Sequence, residues 1–193
     1  MSQPSIPTLI ELPVMLHGQR VLLRPYSVED AESLLAAIDE SRQHLRPWLA
    51  WVDQHTTRDY CSRCAASWIL RTDLTLGIFT ADGNCFLGGT GLRNPNWHLR
   101  SFEIGYWLRK SAIGHGFMTE TVQRLARFAL DDLHANRVEL YCDVANDASR
   151  RVAERSGFLL EGRLRNALPA SDGSPRDSFV FSLAPADRER VVW

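Results

Sequence analysis

Residues 101–129 carry the tightest constraint in this chain. A strand-like run, Ser101–Leu108, enters a short loop holding Gly114 and Gly116. An amphipathic helix follows at once, its buried face marked by Met118, Val122, Leu125 and Ala129. The first amides of a helix have no partner within it and sit at the positive end of its dipole, so a strand–glycine loop–helix sequence suits a phosphate. Two glycines let a ligand approach the backbone without meeting a Cβ. A G-x-G alone is equally compatible with an ordinary turn, so the rest of the chain has to decide.

Composition removes several classes of function. At 193 residues with 45% hydrophobic and 23% charged side chains, the chain is sized for one well-cored globular domain. A net charge of -1 provides no global field toward nucleic acid or anionic membrane. No apolar run approaches the roughly 20 residues of a membrane span, and no signal peptide is expected. Four cysteines, Cys61, Cys64, Cys85 and Cys142, are too few for a disulfide scaffold and fit a reducing cytoplasm. Cys61-Ser-Arg-Cys64 falls inside an expected helix beginning near Thr56 or Thr57, with no second pair for zinc, and reads as ordinary helix cysteines. No metal site is expected.

Residues 1–15, with Pro4, Pro7 and Pro13, read as an N-terminal arm, and residues 16–193 as a single domain. A short strand at 21–24 is stopped by Pro25. Ser27-Val-Glu-Asp30 resembles a capping box and opens a helix striped by Ala31, Leu34, Leu35 and Ile38. A second helix spans about 58–71 and carries Trp68, Ile69 and Leu70. Strands at 74–80 and 85–92 flank the turn pair Asp82-Gly83, and Asn94-Pro-Asn96 breaks the run. After the Gly-loop helix come a strand at 137–143, a short helix at 147–156 closed by Gly157, and strands at 158–163 and 177–183 around a polar loop. No internal repeat or linker interrupts this mixed α/β order.

Three stretches carry a family resemblance: Leu23-Arg-Pro25 with Leu45-Arg-Pro-Trp48; Glu103-Ile-Gly-Tyr-Trp-Leu108 through Gly114-His-Gly116; and Asn146-Asp-Ala-Ser149 through Gly157-Phe158 to Glu161-Gly162. In this order the chain resembles the GNAT (Gcn5-related) N-acetyltransferases, and among them the RimJ/RimL-like ribosomal-protein branch. The resemblance implies an α/β (α+β) fold with a mixed, mostly antiparallel, seven-stranded sheet. That sheet is splayed between its fourth and fifth strands and flanked by about four helices, with acetyl-CoA in the cleft. Trp107, Leu108 and Arg109 are then expected to offer backbone groups to the pantetheine arm as an added strand. Amides of Gly114, His115, Gly116, Phe117, Met118 and Thr119 are expected at the pyrophosphate. Ser111 departs from the family's usual Gln or Arg, which puts one side-chain contact to phosphate in doubt. Arg109 and Lys110 read either as nearby charge or as a solvated rim.

Glu103 stands where many of these enzymes place a general base, and a protonated amine must lose a proton before it attacks a thioester. Its alternative is a structural carboxylate. Asn146 is an N-cap by composition and, through the resemblance, a cofactor contact. Ser149, one turn on, is expected beside the departing thiolate, where a hydroxyl would stabilise charge on sulfur. The tyrosine that other members place four residues before the Gly-Phe pair is Ala153 here. Cys142 reads as packing, His115 as solvated, and Trp48, Trp51 and Trp97 as aromatic core or an acceptor pocket.

The expected reaction is acetyl transfer to a primary amine, first of all a protein N-terminal α-amine. Alternatives are a small amine (polyamine, amino acid or aminoglycoside) and a non-catalytic acyl-CoA-binding module. A homodimer in the cytoplasm is the expected assembly. A dinucleotide-binding reading fails, because Thr119 stands where the third glycine belongs.

Overall fold

The structure, a computed structural model, describes residues 11–53, 58–170 and 173–191. Most of the N-terminal arm, the expected helix start near Thr56 and Thr57, and Ser171 and Asp172 of the polar loop lie outside the described residues. The strands are β1 (Leu16–His17), β2 (Val21–Pro25), β3 (Leu74–Thr80), β4 (Phe86–Asn96), β5 (Ser101–Leu108), β6 (Arg137–Asp143), β7 (Leu159–Pro169) and β8 (Pro175–Leu183). The helices are α1 (Ala31–Leu45), α2 (Arg58–Leu70), α3 (Phe117–Arg127) and α4 (Asp147–Arg155).

One sheet takes all eight strands in the order β1-β2-β3-β4-β5-β6-β8-β7. The eighth strand, beyond the seven expected, is the two-residue β1, which pairs with Leu22 and Leu23 of β2. Every pairing is antiparallel except β5 with β6. That parallel ladder has only three matched pairs, Ser101 with Arg137, Phe102 with Val138 and Glu103 with Glu139. Beyond them the strands part, and β6 continues its ladder with β8 out to Asp143. The sheet is therefore splayed where the resemblance implied.

Capping and burial explain the helices. Asp30 accepts the Ser27 amide at 2.7 Å, and the Ser27 hydroxyl accepts the Glu29 amide at 3.2 Å, closing the capping box ahead of α1. The buried stripe of α1 is Leu34, Ala37, Ile38, Ser41 and Leu45, whereas Leu35, expected in it, is exposed. In α2 only Trp68 of the expected trio is buried; Ile69 and Leu70 face outward. Apolar type alone did not identify these faces, because the 3.6-residue period allows only one stripe per helix to reach the sheet. α3 runs on through a π turn, Phe128–Asp132, which carries Ala129 into the core.

The expected break at Asn94-Pro-Asn96 is instead a bulge inside a longer β4. Proline can occupy such a position because the local ladder is already interrupted. The bulge puts Asn94 in the left-handed region, φ 48°, which asparagine tolerates better than most residues. Two buried clusters sandwich the sheet. A larger one joins Phe102 and Ile104 to Val122, Leu125 and Phe128 on the α3 side. A smaller one joins Trp107, Phe79 and Phe86 to Tyr26, Leu34 and Ile38 of the α1 side.

Candidate active site

Past Glu103, among the described residues, β5 is paired on one edge only. Arg109 donates its amide to Leu87 of β4 at 2.8 Å, while Arg100 accepts the Asn136 amide at 2.8 Å on the β6 side. Backbone groups alternate direction along a strand, so Ile104, Tyr106 and Leu108 aim theirs into the splay, while Trp107 and Arg109 aim theirs at β4. Of the three residues expected to meet the pantetheine arm, Leu108 aims its backbone groups into the splay, and Trp107 and Arg109 aim theirs at β4. The buried Trp107 ring packs on Trp51 at 5.8 Å between ring centres. A Cβ at Gly89 would lie 2.5 Å from its indole nitrogen, which explains a glycine there.

The loop beyond β5 is built around two carboxylates. Glu40 of α1 accepts the Ser111 amide at 2.7 Å and Nε of Arg109 at 2.9 Å. The Arg109 guanidinium and the Ser111 amide hold the Glu40 carboxyl down to about 2. The Arg109 side chain is thus paired with Glu40, and Lys110 is exposed. On the far side, buried Glu120 accepts the Arg20 amide at 2.7 Å and its Nε at 2.9 Å. Arg20 in turn donates to the His115 carbonyl at 2.7 Å.

Between these braces the chain turns twice through the left-handed region, at Gly114 (φ 84°) and at Gly116 (φ 79°), the N-cap of α3. A Cβ on Gly114 would meet nothing within 4 Å. Among the described residues, the amides of Gly114, His115, Gly116, Phe117, Met118 and Thr119 donate no hydrogen bond. His115 is exposed, its ring 5.9 Å from that of Phe117. A cavity of about 300 Å³ lies against the same helix start, lined in part by Arg20, Thr119, Gln123 and Arg155.

Across the splay, Asn146 caps α4 by accepting the Ser149 amide at 3.0 Å. The Ser149 hydroxyl lies 2.8 Å from the phenol oxygen of Tyr106 on β5. Burial pushes the Tyr106 phenol above its ordinary value, against a smaller downward pull from that hydrogen bond, so it stays protonated. Burial likewise pushes the Cys142 thiol up to about 11, with Ser149 hydrogen-bonded beside it pulling the other way. Cys142 is therefore a protonated packing thiol at neutral pH.

Glu103 is half-buried and accepts Nδ2 of Asn94 at 2.8 Å. Side chains alternate along β5, so Glu103 shares a face with Trp107, and Tyr106 occupies the other. The structure thus brings Ser149 together with Tyr106 and Cys142, and sets Glu103 on the opposite side of the strand. Trp97 is half-buried against the α3-side core: it donates to the Arg71 carbonyl at 2.9 Å and packs on Phe102 at 5.2 Å.

Two residues of this region were not singled out in the sequence. Tyr106 stands inside the Glu103–Leu108 motif, where no role was assigned to it. Arg176 of β8 ion-pairs with buried Asp143 at 2.9 Å and donates to the carbonyls of Pro47 at 2.7 Å and Pro169 at 2.9 Å. It ties the segment after α1 to the β7–β8 hairpin over the end of β6. No sequence signal marks an arginine in a polar loop flank for this work.

Comparison with known proteins agrees with this geometry. Residues 20–159 match the family model "Acetyltransferase (GNAT) domain". The chain is 31% identical over 176 residues to "Putative ribosomal N-acetyltransferase YdaF" of Bacillus subtilis, covering 89% of this chain and 95% of that protein. Among solved structures it is similar to Mycobacterium smegmatis RimJ in complex with CoA-disulfide, with a TM-score of 0.79 and 26% identity over 95% of this chain and 93% of that one. A ribosomal-protein-serine acetyltransferase structure from Vibrio cholerae, its assignment marked as putative, gives 0.78 and 26% over 89% and 97%. A strand edge opened by a splay, a glycine loop with unspent amides and a matching family model agree, and the chain belongs to the GNAT family of N-acetyltransferases.

Proposed function

We propose that residues 16–193 form a catalytic domain that passes the acetyl group of acetyl-CoA directly to a primary amine, a protein N-terminal α-amine first of all. The observation that carries the cofactor assignment is the unspent run of amides from Gly114 to Thr119, which follows a strand edge open toward β6. A pyrophosphate satisfies those donors and meets the positive end of α3. The pantetheine arm, with its own amides, continues along Ile104, Tyr106 and Leu108. The thioester then lies near Ser149, with Asn146 capping the turn that presents it. The RimJ structure with CoA-disulfide supports this placement by similarity.

The two faces of β5 divide the proton work. Glu103, on the Trp107 face, takes the proton of the incoming amine, directly or through water. Ser149, on the Tyr106 face, serves the leaving sulfur. Direct attack needs no enzyme nucleophile, in keeping with a Cys142 thiol that stays protonated. A protein acceptor is supported by similarity to proteins named as ribosomal acetyltransferases. Four free cysteines fit a reducing cytoplasm.

Gly116→Glu tests the cofactor site, because a side chain and a negative charge would enter it. Calorimetry should show acetyl-CoA affinity falling at least about ten-fold. Unchanged affinity in a folded variant sinks the assignment. Thiol release against a panel of N-terminal peptides, lysine peptides and small amines identifies the acceptor class.

A further inference from the structure

We infer that Tyr106 is a positioning residue for the acyl transfer, its phenol holding the Ser149 hydroxyl so that the serine hydrogen points at the cofactor sulfur. This rests on the acetyl-transfer reading above and extends it to a residue on the opposite wall of the cleft.

A serine hydroxyl has one hydrogen and two lone pairs, and by itself it rotates freely. At the start of a helix it has nearby backbone carbonyls to choose from, so an unguided Ser149 would spend much of its time pointing away from the ligand. Tyr106 removes that freedom. Its phenol oxygen lies 2.8 Å from Oγ of Ser149 and 3.3 Å from the Ser149 carbonyl. The shorter contact is near the usual O–H···O distance and the longer one is beyond it, so Oγ is the better acceptor for the phenol hydrogen. With one lone pair of Oγ occupied, the serine hydrogen must turn elsewhere. The Ser149 amide is already fixed on Asn146 at 3.0 Å, so the residue is held from two directions.

The placement matters as much as the bond. Tyr106 lies three residues beyond the last β5–β6 pair, so its bond to α4 crosses the splay at the point where the strands have separated. It packs against the α3-side core, which fixes the ring. During transfer, the amine nitrogen bonds to the acyl carbon and its proton leaves to the base. The C–S bond then breaks, and its electron pair goes to sulfur. Ser149 donates a hydrogen bond to that thiolate, and the phenol, by donating to Oγ, makes the serine hydrogen a stronger donor. No proton needs to leave Tyr106. The interaction grows with charge on sulfur, so it belongs to the transition state rather than to ground-state binding.

The test compares Tyr106→Phe, Ser149→Ala and the double variant. Phenylalanine keeps the ring and its packing and removes only the phenol oxygen. Tyr106→Phe should lower kcat about ten-fold while acetyl-CoA affinity stays within about two-fold, and Ser149→Ala should lose about 10²-fold. The double variant should be no slower than Ser149→Ala, because Tyr106 acts only through that hydroxyl. A second readout needs no acceptor. The thiol pKa of bound CoA, followed by ultraviolet thiolate absorbance, should rise in Tyr106→Phe and in Ser149→Ala alike. A wild-type kcat in Tyr106→Phe, a faster one, or losses that multiply in the double variant would overturn the inference. In each of those cases a wild-type enzyme that turns over leaves the acetyl-transfer reading intact. A wild-type chain that binds acetyl-CoA and releases no thiol with any amine would instead remove that reading, and this inference with it.

Discussion

Glu120→Ala should cost about 2–4 kcal/mol of stability and loosen the cofactor loop at the same time. The carboxylate is buried, and its Oε1 accepts both the Arg20 amide at 2.7 Å and the Val21 amide at 3.3 Å. A Cβ on Gly18 would lie 2.6 Å from Oε1, so a glycine there lets the carboxylate seat itself. Removing it leaves the buried Val21 amide without an acceptor, at about 1–3 kcal/mol, and weakens the partly buried Arg20 amide by about 1 kcal/mol. The Arg20 guanidinium is half exposed and re-solvates, so its ion pair adds little. For a chain of this length that sum lowers Tm by roughly 5 to 12 °C. Glu120→Gln keeps an acceptor oxygen at the same place and should cost about half as much. Denaturant titrations with an unchanged slope measure both values. Because Arg20 also holds the His115 carbonyl, acetyl-CoA affinity should weaken roughly ten-fold in the alanine variant. An alanine variant within about 0.5 kcal/mol of wild type, or a glutamine variant as damaged as alanine, would refute the claim that two main-chain amides are what this carboxylate serves.

The Glu40 carboxyl, ordinarily near 4.5, is held down to about 2, so its stabilising effect is complete above about pH 5 and lost as pH falls toward 2; Glu40→Gln should flatten that part of an acid-unfolding curve. Arg176→Met leaves Asp143 buried without its cation and should cost about 3 kcal/mol, with Asp143→Asn in the same chain recovering part of the loss in thermal unfolding. An aromatic disulfide reagent at mildly alkaline pH should modify exposed Cys85 quickly. Cys61, Cys64 and Cys142, all buried with thiols pushed up, should react only on unfolding.

What the sequence determined by itself is what depends on near neighbours. β3, β5 and β6 begin and end where their residue runs do, and the capping residues Ser27, Asn146 and Gly157 stand where composition places them. Local sterics and backbone hydrogen bonding act over a few residues, so they can be read in a few residues. The glycine loop belongs to the same class, since positive φ at Gly114 and Gly116 is a demand on single residues.

Tertiary structure alone decided which way each group points and what it meets. The phase of β5 is set by its ladder with β4, and that phase turns Leu108 toward the splay and Trp107 away from it. The Arg109 side chain meets Glu40, 69 residues away, and the partner of Ser149 is 43 residues away on another strand. Leu35, Ile69 and Leu70 have the same hydrophobicity inside or outside, and only the sheet's position selects the stripe that is buried. Long-range partners of this kind leave no local pattern, because any arginine or tyrosine at those positions has the same neighbours in sequence. They arise when packing brings distant chain segments within the 3 Å or so at which hydrogen bonds act.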